Sequence, residues 1–136
     1  MPTAGCALCN YTDLLGKEFH YGGRGPDRFD CYGLVMEVYR RRGIVLPEFE
    51  SCSDPEEIHG SMLQGKDHFE QIDHPQPWCI VMLCVRPPFV SHVGVVLPNR
   101  NLFLHTMRAV NVCVERLASP EWQHRIRGYY RWHQKP

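Results

Sequence analysis

Along this chain the apolar positions fall first at helical spacing and then at strand spacing. From Cys31 to about Arg42 they occupy positions 31, 34, 35, 38 and 39, the series of a helix with one buried face. Gly43 supplies the C-cap, after a basic last turn of Arg40, Arg41 and Arg42 that suits the helix dipole. Two shorter helices are expected. Residues 11–16 end at Gly16, and about 53–64 open on Ser53-Asp54-Pro55-Glu56-Glu57, a capping residue, a proline and then acids. Residues 65–76 are polar and read as loop. The period then changes. Runs at about 79–86, 91–97, 101–106 and 109–115, rich in Val, Ile, Leu and Phe, read as strands. Ser119-Pro120-Glu121-Trp122 predicts one more short helix, and Ile126 to Trp132 a closing strand. The order predicts an α+β fold, with N-terminal helices packed on an antiparallel sheet of about five strands.

With 136 residues the expected organisation is a single domain, 1–136, with one core. Fifteen basic and fifteen acidic residues cancel, so no global field favours nucleic acid or an anionic membrane as partner. The eight histidines make the molecule cationic below about pH 6.5. No apolar run approaches the roughly eighteen residues of a membrane span, so no membrane insertion is expected. The first residues lack a basic stretch followed by an apolar one, so synthesis in the cytoplasm without a signal peptide is expected.

Seven cysteines are spread along the chain, several inside apolar runs such as Cys79-Ile80-Val81-Met82-Leu83-Cys84 and Val112-Cys113-Val114. They read as reduced core residues rather than a disulfide framework. Cys6-Ala7-Leu8-Cys9 is a lone CxxC without a second pair at matching spacing, too little for a zinc site. No metal and no cofactor is therefore expected. Asp67-His68 and Asp73-His74 read as solvated side chains.

One cysteine stands apart. Cys31 lies where the loop Gly22-Gly23-Arg24-Gly25-Pro26 gives way to the helix, and the unpaired N–H groups and dipole of a first turn favour its thiolate. Nucleophilic catalysis also needs a base and a group that orients the base. His92 is the candidate base, on an alternating strand and followed by Gly94, which thins the strand surface. His105 falls on the next strand, across a turn built from Pro98, Asn99 and Arg100, and is placed to orient His92. A backbone N–H of the helix start is available to an oxyanion. A thiolate–imidazolium pair between Cys31 and His92 is expected from this layout.

Phe19-His20-Tyr21-Gly22-Gly23, Pro26 and Phe29-Asp30-Cys31-Tyr32-Gly33-Leu34-Val35 closely resemble the N-terminal half of NlpC/P60 cysteine peptidases. Ser91-His92-Val93-Gly94-Val95-Val96-Leu97 and Phe103-Leu104-His105 resemble the second half, in the same order. The resemblance implies a papain-like fold, a Cys31–His92–His105 triad and no metal. It implies hydrolysis of bacterial peptidoglycan stem peptides at a γ-D-glutamyl–diamino-acid bond. It also implies Phe19, Tyr21, Asp30, Tyr32 and Ser91 around the substrate. Tyr32 and the closing Gly128-Tyr129-Tyr130-Arg131-Trp132 look most like the phage and prophage tail-associated branch, which implies tail proteins as partners and a place in the virion or at the cell wall. Phe19 stands where the family often has Tyr, so that hydroxyl is missing. Trp78-Cys79 stand where it often has Gly-Asp, a change expected to loosen the turn before the sheet. The rival expectations are a non-catalytic tail-tip or assembly subunit, and a cysteine amidase or acyltransferase acting on another small amide or thioester.

Overall fold

The computed structural model describes residues 10–49, 59–60 and 66–133. Two short strands, β1 (Glu18–Phe19) and β2 (Arg28–Phe29), pair in parallel and lead into the helix α1 (Cys31–Arg41). Six strands follow: β3 (Phe69–Ile72), β4 (Ile80–Leu83), β5 (His92–Val96), β6 (Leu102–Met107), β7 (Val110–Arg116) and β8 (Ile126–Trp132). They form one antiparallel sheet in the order β3-β8-β4-β5-β6-β7.

The helix forms as its periodicity requires. Leu34, Val35, Val38 and Tyr39 are buried against Ile80, Met82, Val93, Val95 and Leu104 of the sheet. The alternate residues of the same strands face the other way. There Val81, Leu83, Val96 and Phe103 pack with Leu117 and Trp122. The sheet is thus apolar on both faces, so β4 is a continuous apolar run and β5, read as alternating, is buried along its whole length. Gly43, at φ +84, follows the helix as its C-cap expectation requires.

Several expectations need correction. Residues 11–16 form only a 3-10 turn, Thr12–Leu14, before Gly16 turns at φ +87. The helix expected at about 53–64 lies outside the described residues, apart from His59 and Gly60, which are helical. Among the described residues α1 is the one long helix, and the sheet has six strands rather than about five. The additional strand is β3, inside the stretch read as loop. It is an edge strand whose Glu70 and Gln71 are exposed, so its sequence carries no apolar alternation. Ser119 to Arg125 runs through turns rather than a helix, closed by bonds such as Gln123 N–H to Ser119 O at 2.9 Å.

The turn before β4 is not loosened. Trp78 takes the left-handed backbone (φ 68) and is buried. Its N–H donates to Val96 O at 2.7 Å, and its carbonyl accepts from the Tyr39 hydroxyl. Side-chain burial and two hydrogen bonds hold a conformation that glycine adopts freely. Among the described residues no helix is long and apolar enough to cross a membrane.

Candidate active site

Asp30 organises the start of α1. Its carboxylate accepts from Gly33 N–H at 2.6 Å, the bond of an N-cap. It also accepts from Gly22 N–H at 3.1 Å and from Arg24 Nη1 at 2.7 Å. Arg24 in turn grips Glu48 through Nε and Nη2. The loop before the helix is therefore tied to its first turn. Asp30 is buried within these bonds, so it serves the frame of the site.

Cys31 is the first helical residue and is half-buried; like Cys79, Cys84 and Cys113, it is free of any disulfide. Its thiol lies at the backbone amides of Val93 and Tyr32. Burial pushes the thiol up to about 12, and the Asp30 carboxylate next to it adds to the rise. The helix-start effect that favours a thiolate is outweighed, because desolvation and a like charge act on the same sulfur.

His92 and His105 meet across β5 and β6, with His92 Nε2 2.8 Å from His105 Nδ1. Gly94 makes this approach possible. A methyl there would sit 2.9 Å from Leu104 O and 3.3 Å from the His105 Cβ. Trp122 covers both rings, its centroid 6.0 Å from His92 and 5.0 Å from His105. On the far side His105 Nε2 lies 2.7 Å from Glu115 Oε2.

That chain of contacts fixes the protons. A carboxylate only accepts, so His105 carries its proton on Nε2 and presents a lone pair at Nδ1. His92 Nε2 then donates to it, which leaves the lone pair of His92 on Nδ1. Burial, with the neighbouring His105, drives His92 down to about 3, so the ring is neutral at rest. His105 is lowered too, by burial, with Glu115 opposing. Burial thus disfavours the charged form of the thiol and of both imidazoles, against the expected thiolate–imidazolium pair. Among the described residues no hydrogen bond joins Cys31 to His92. Val93 next to the thiol faces the helix, whereas His92 packs on Trp122.

The neutral His92 has a consequence for stability. Its folded value lies below the ordinary histidine value, so below about pH 6.5 the unfolded chain binds a proton that the folded chain refuses. Stability is complete above that pH and is lost as pH falls toward the folded value. A decline of about 2 kcal/mol between pH 6.5 and pH 5 is expected. Urea unfolding across this range measures it, and His92→Gln should flatten the slope.

The remaining candidates lie around the loop and helix start. Phe19 and Tyr21 stack edge to face at 4.9 Å, with Tyr21 exposed. The Tyr32 hydroxyl donates to Pro47 O. Ser91 is half-buried beside His92. Cys6 and Cys9 lie outside the described residues. Sequence reasoning missed Glu115, Cys113 and Trp122. Cys113 pairs directly with His105 in the β6–β7 register, and Glu115 follows two residues on, so both share its face.

The family model described as "NlpC/P60 family" matches residues 16–131. A 33-residue stretch is 48% identical to a protein named probable endopeptidase p60 from Listeria seeligeri; it is 24% of this chain and 6% of that relative. An NLP/P60-family protein from Staphylococcus aureus, similar to a lipoprotein, has a solved structure that superposes with a TM-score of 0.71 at 23% identity, over 98% of this chain and 42% of that one. The NlpC/p60 domain of peptidoglycan hydrolase SagA superposes with a TM-score of 0.60 at 17% identity, over 83% and 88%. At these identities the two structures speak for the fold.

Proposed function

The chain belongs to the NlpC/P60 family, and from that premise we propose that it is a cysteine peptidase cleaving peptide or amide bonds in the stem peptides of bacterial peptidoglycan. The observation that carries the reading is the hydrogen-bonded His92–His105 pair on the strands behind the helix that opens with Cys31. The names of the relatives, an endopeptidase and a peptidoglycan hydrolase, point to the same chemistry.

In this reading the mechanism is papain-like, with Cys31 as nucleophile, His92 as base and His105 as the group that orients His92. Because burial disfavours charge on thiol and imidazole alike, the proton moves during attack rather than before it. Substrate binding brings Cys31 Sγ within hydrogen-bond reach of His92 Nδ1, a contact that tightens only in the complex. Sγ attacks the carbonyl carbon as the thiol proton passes to Nδ1. The backbone N–H of Cys31, first in the helix, stabilises the oxyanion. His92 then returns the proton to the leaving amine, and water releases the acyl group from the thioester.

We place the cut at a γ-D-glutamyl–diamino-acid bond, with Phe19, Tyr21, Tyr32 and Ser91 around the substrate. We place the chain, as a single catalytic domain, with tail-associated enzymes of phages and prophages, on the strength of Tyr32 and the segment Gly128–Trp132. A second reading, a structural subunit that keeps the fold without turnover, draws on the missing Cys31–His92 hydrogen bond. Digestion of purified sacculi with mass spectrometry of the released peptides separates the two. New amino termini at the diamino acid are expected. Sacculi of several wall types left intact by the folded protein would favour the structural reading.

A further inference from the structure

We propose that His105, Cys113 and Glu115 form a binding site for a zinc-class divalent cation, and that the ion, once bound, switches off the histidine relay. The three donor atoms lie within 4.8 Å of one another. Cys113 Sγ is 3.6 Å from His105 Nε2 and 3.9 Å from Glu115 Oε2, and the nitrogen–oxygen pair is 2.7 Å apart. One tetrahedral zinc with ordinary bond lengths holds such ligands about 3.4–3.6 Å apart. The two sulfur distances come close to that already. Only the nitrogen–oxygen pair must open, by about 0.7 Å, once a metal replaces the shared proton. Glu115 can supply the movement, because its side chain is partly exposed (28%) while His105 is fully buried.

The donors are set by the sheet rather than by a loop. Cys113 sits opposite His105 in the β6–β7 register, Glu115 follows two residues on, and both are partly exposed, so an ion can reach them from solvent. Imidazole, thiolate and carboxylate together suit zinc and its neighbours, whereas magnesium and calcium favour all-oxygen sets. Three protein ligands leave a fourth position to water.

The consequence for the relay follows from proton bookkeeping, and this half of the inference rests on the hydrolase reading above. The ion takes the lone pair of His105 Nε2, and the Cys113 thiol proton leaves to solvent. The single ring proton of His105 then sits on Nδ1, pointing at His92 Nε2, which must now accept. His92 in turn carries its proton on Nδ1, the atom that has to take one from Cys31. Both rings stay neutral and hydrogen-bonded, but the base is blocked.

The test uses the full chain with Cys6→Ser, Cys9→Ser, Cys31→Ala and Cys52→Ser, which leaves only the buried Cys79 and Cys84 beside Cys113, titrated with cobalt(II) in place of zinc. A thiolate-to-cobalt charge-transfer band saturating at one equivalent is expected. Adding Cys113→Ser should abolish it, and Glu115→Gln should weaken binding at least tenfold. No band, or one indifferent to Cys113→Ser, overturns the site. Should the multiple variant fail to fold, calorimetric titration of zinc into wild type and Cys113→Ser decides the same point, by whether one equivalent is lost. For the switch, the ratio of hydrolysis rate with and without saturating zinc is expected to fall at least tenfold in wild type and to recover on chelation. In Cys113→Ser that ratio should stay near one. A wild-type ratio near one with the cobalt band present overturns the switch and leaves the site standing. If the zinc-free chain hydrolyses nothing, the hydrolase reading and the switch fall together, and cobalt alone decides the site.

Discussion

Replacing Cys31 with alanine is expected to lower the rate of stem-peptide release by about ten-thousandfold or more, the loss that follows when the nucleophile of a catalytic set is removed. The fold should survive, because Cys31 is half-buried and alanine is the best helix former. The prediction is specific because the site contains a competing sulfur. Cys113 Sγ lies 3.6 Å from His105 Nε2. Burial and the Glu115 carboxylate push its thiol up to about 11, so its proximity does not make it a resting thiolate. Two features favour Cys31 over it. Cys31 opens the helix, where a backbone N–H can meet an oxyanion, whereas Cys113 lies mid-strand with its amide engaged in the sheet. In the proposed mechanism the lone pair of His92 is on Nδ1, at the end away from Glu115 and Cys113. Acid-quenching a turnover mixture and mapping the thioester by mass spectrometry checks the choice directly. An acyl group on the Cys31 peptide, absent from Cys31→Ala, is the expected result. Acylation of the Cys113 peptide would reassign the nucleophile and reverse the direction of the relay.

What was legible in the sequence follows from how locally each feature is determined. The helix Cys31–Arg41 and the strand Ile126–Trp132 are written in their own residues, as periodicity and caps for the first and as a β-rich run for the second. The two histidines were legible because a short hairpin puts consecutive strands side by side. Glu115 and Cys113 were not. Their place beside His105 depends on the β6–β7 register, which shifts between His105 and Met107, and an irregularity of that kind leaves no mark in the hydrophobic pattern. Cys113 between two valines reads as core, and half of that holds, since Val112 is buried with the helix side while Cys113 faces the other way. The strand Phe69–Ile72 was hidden for a similar reason, because it owes its existence to pairing with β8. The resting charge state depends on burial that the sequence does not display. A helix start lowers a thiol modestly, but burial beside Asp30 outweighs it, and burial is not visible in a sequence.

Gly33→Ala carries the largest expected structural effect, and its sign runs against helix propensity. Inside an exposed helix, replacing glycine with alanine stabilises by about 1 kcal/mol. Here the added methyl would lie 2.0 Å from Gly23 O, a backbone atom that no side-chain rotation can withdraw. The carbonyl of Gly23 is itself held in place, since it accepts from Asp30 N–H at 3.1 Å. Gly23 has no room to retreat either, because its own Cα already faces Phe29 and His20 at under 3 Å from where a side chain would begin. Relief therefore requires the helix start to move away from the loop, which breaks the Asp30 cap and the Arg24 bridge together. A net loss of about 3 kcal/mol, the upper end for overpacking, is expected as a lower urea midpoint with an unchanged slope. Cys31 rides on that helix start, so activity in the folded fraction should fall as well, by about a hundredfold for a displacement near 1 Å. The two readings constrain each other. A normal midpoint with lost activity would mean that the loop yields and carries the substrate contacts with it. A normal midpoint with normal activity would mean that the loop does not seat on the helix at all, and the account of how Asp30 positions Cys31 would fail with it.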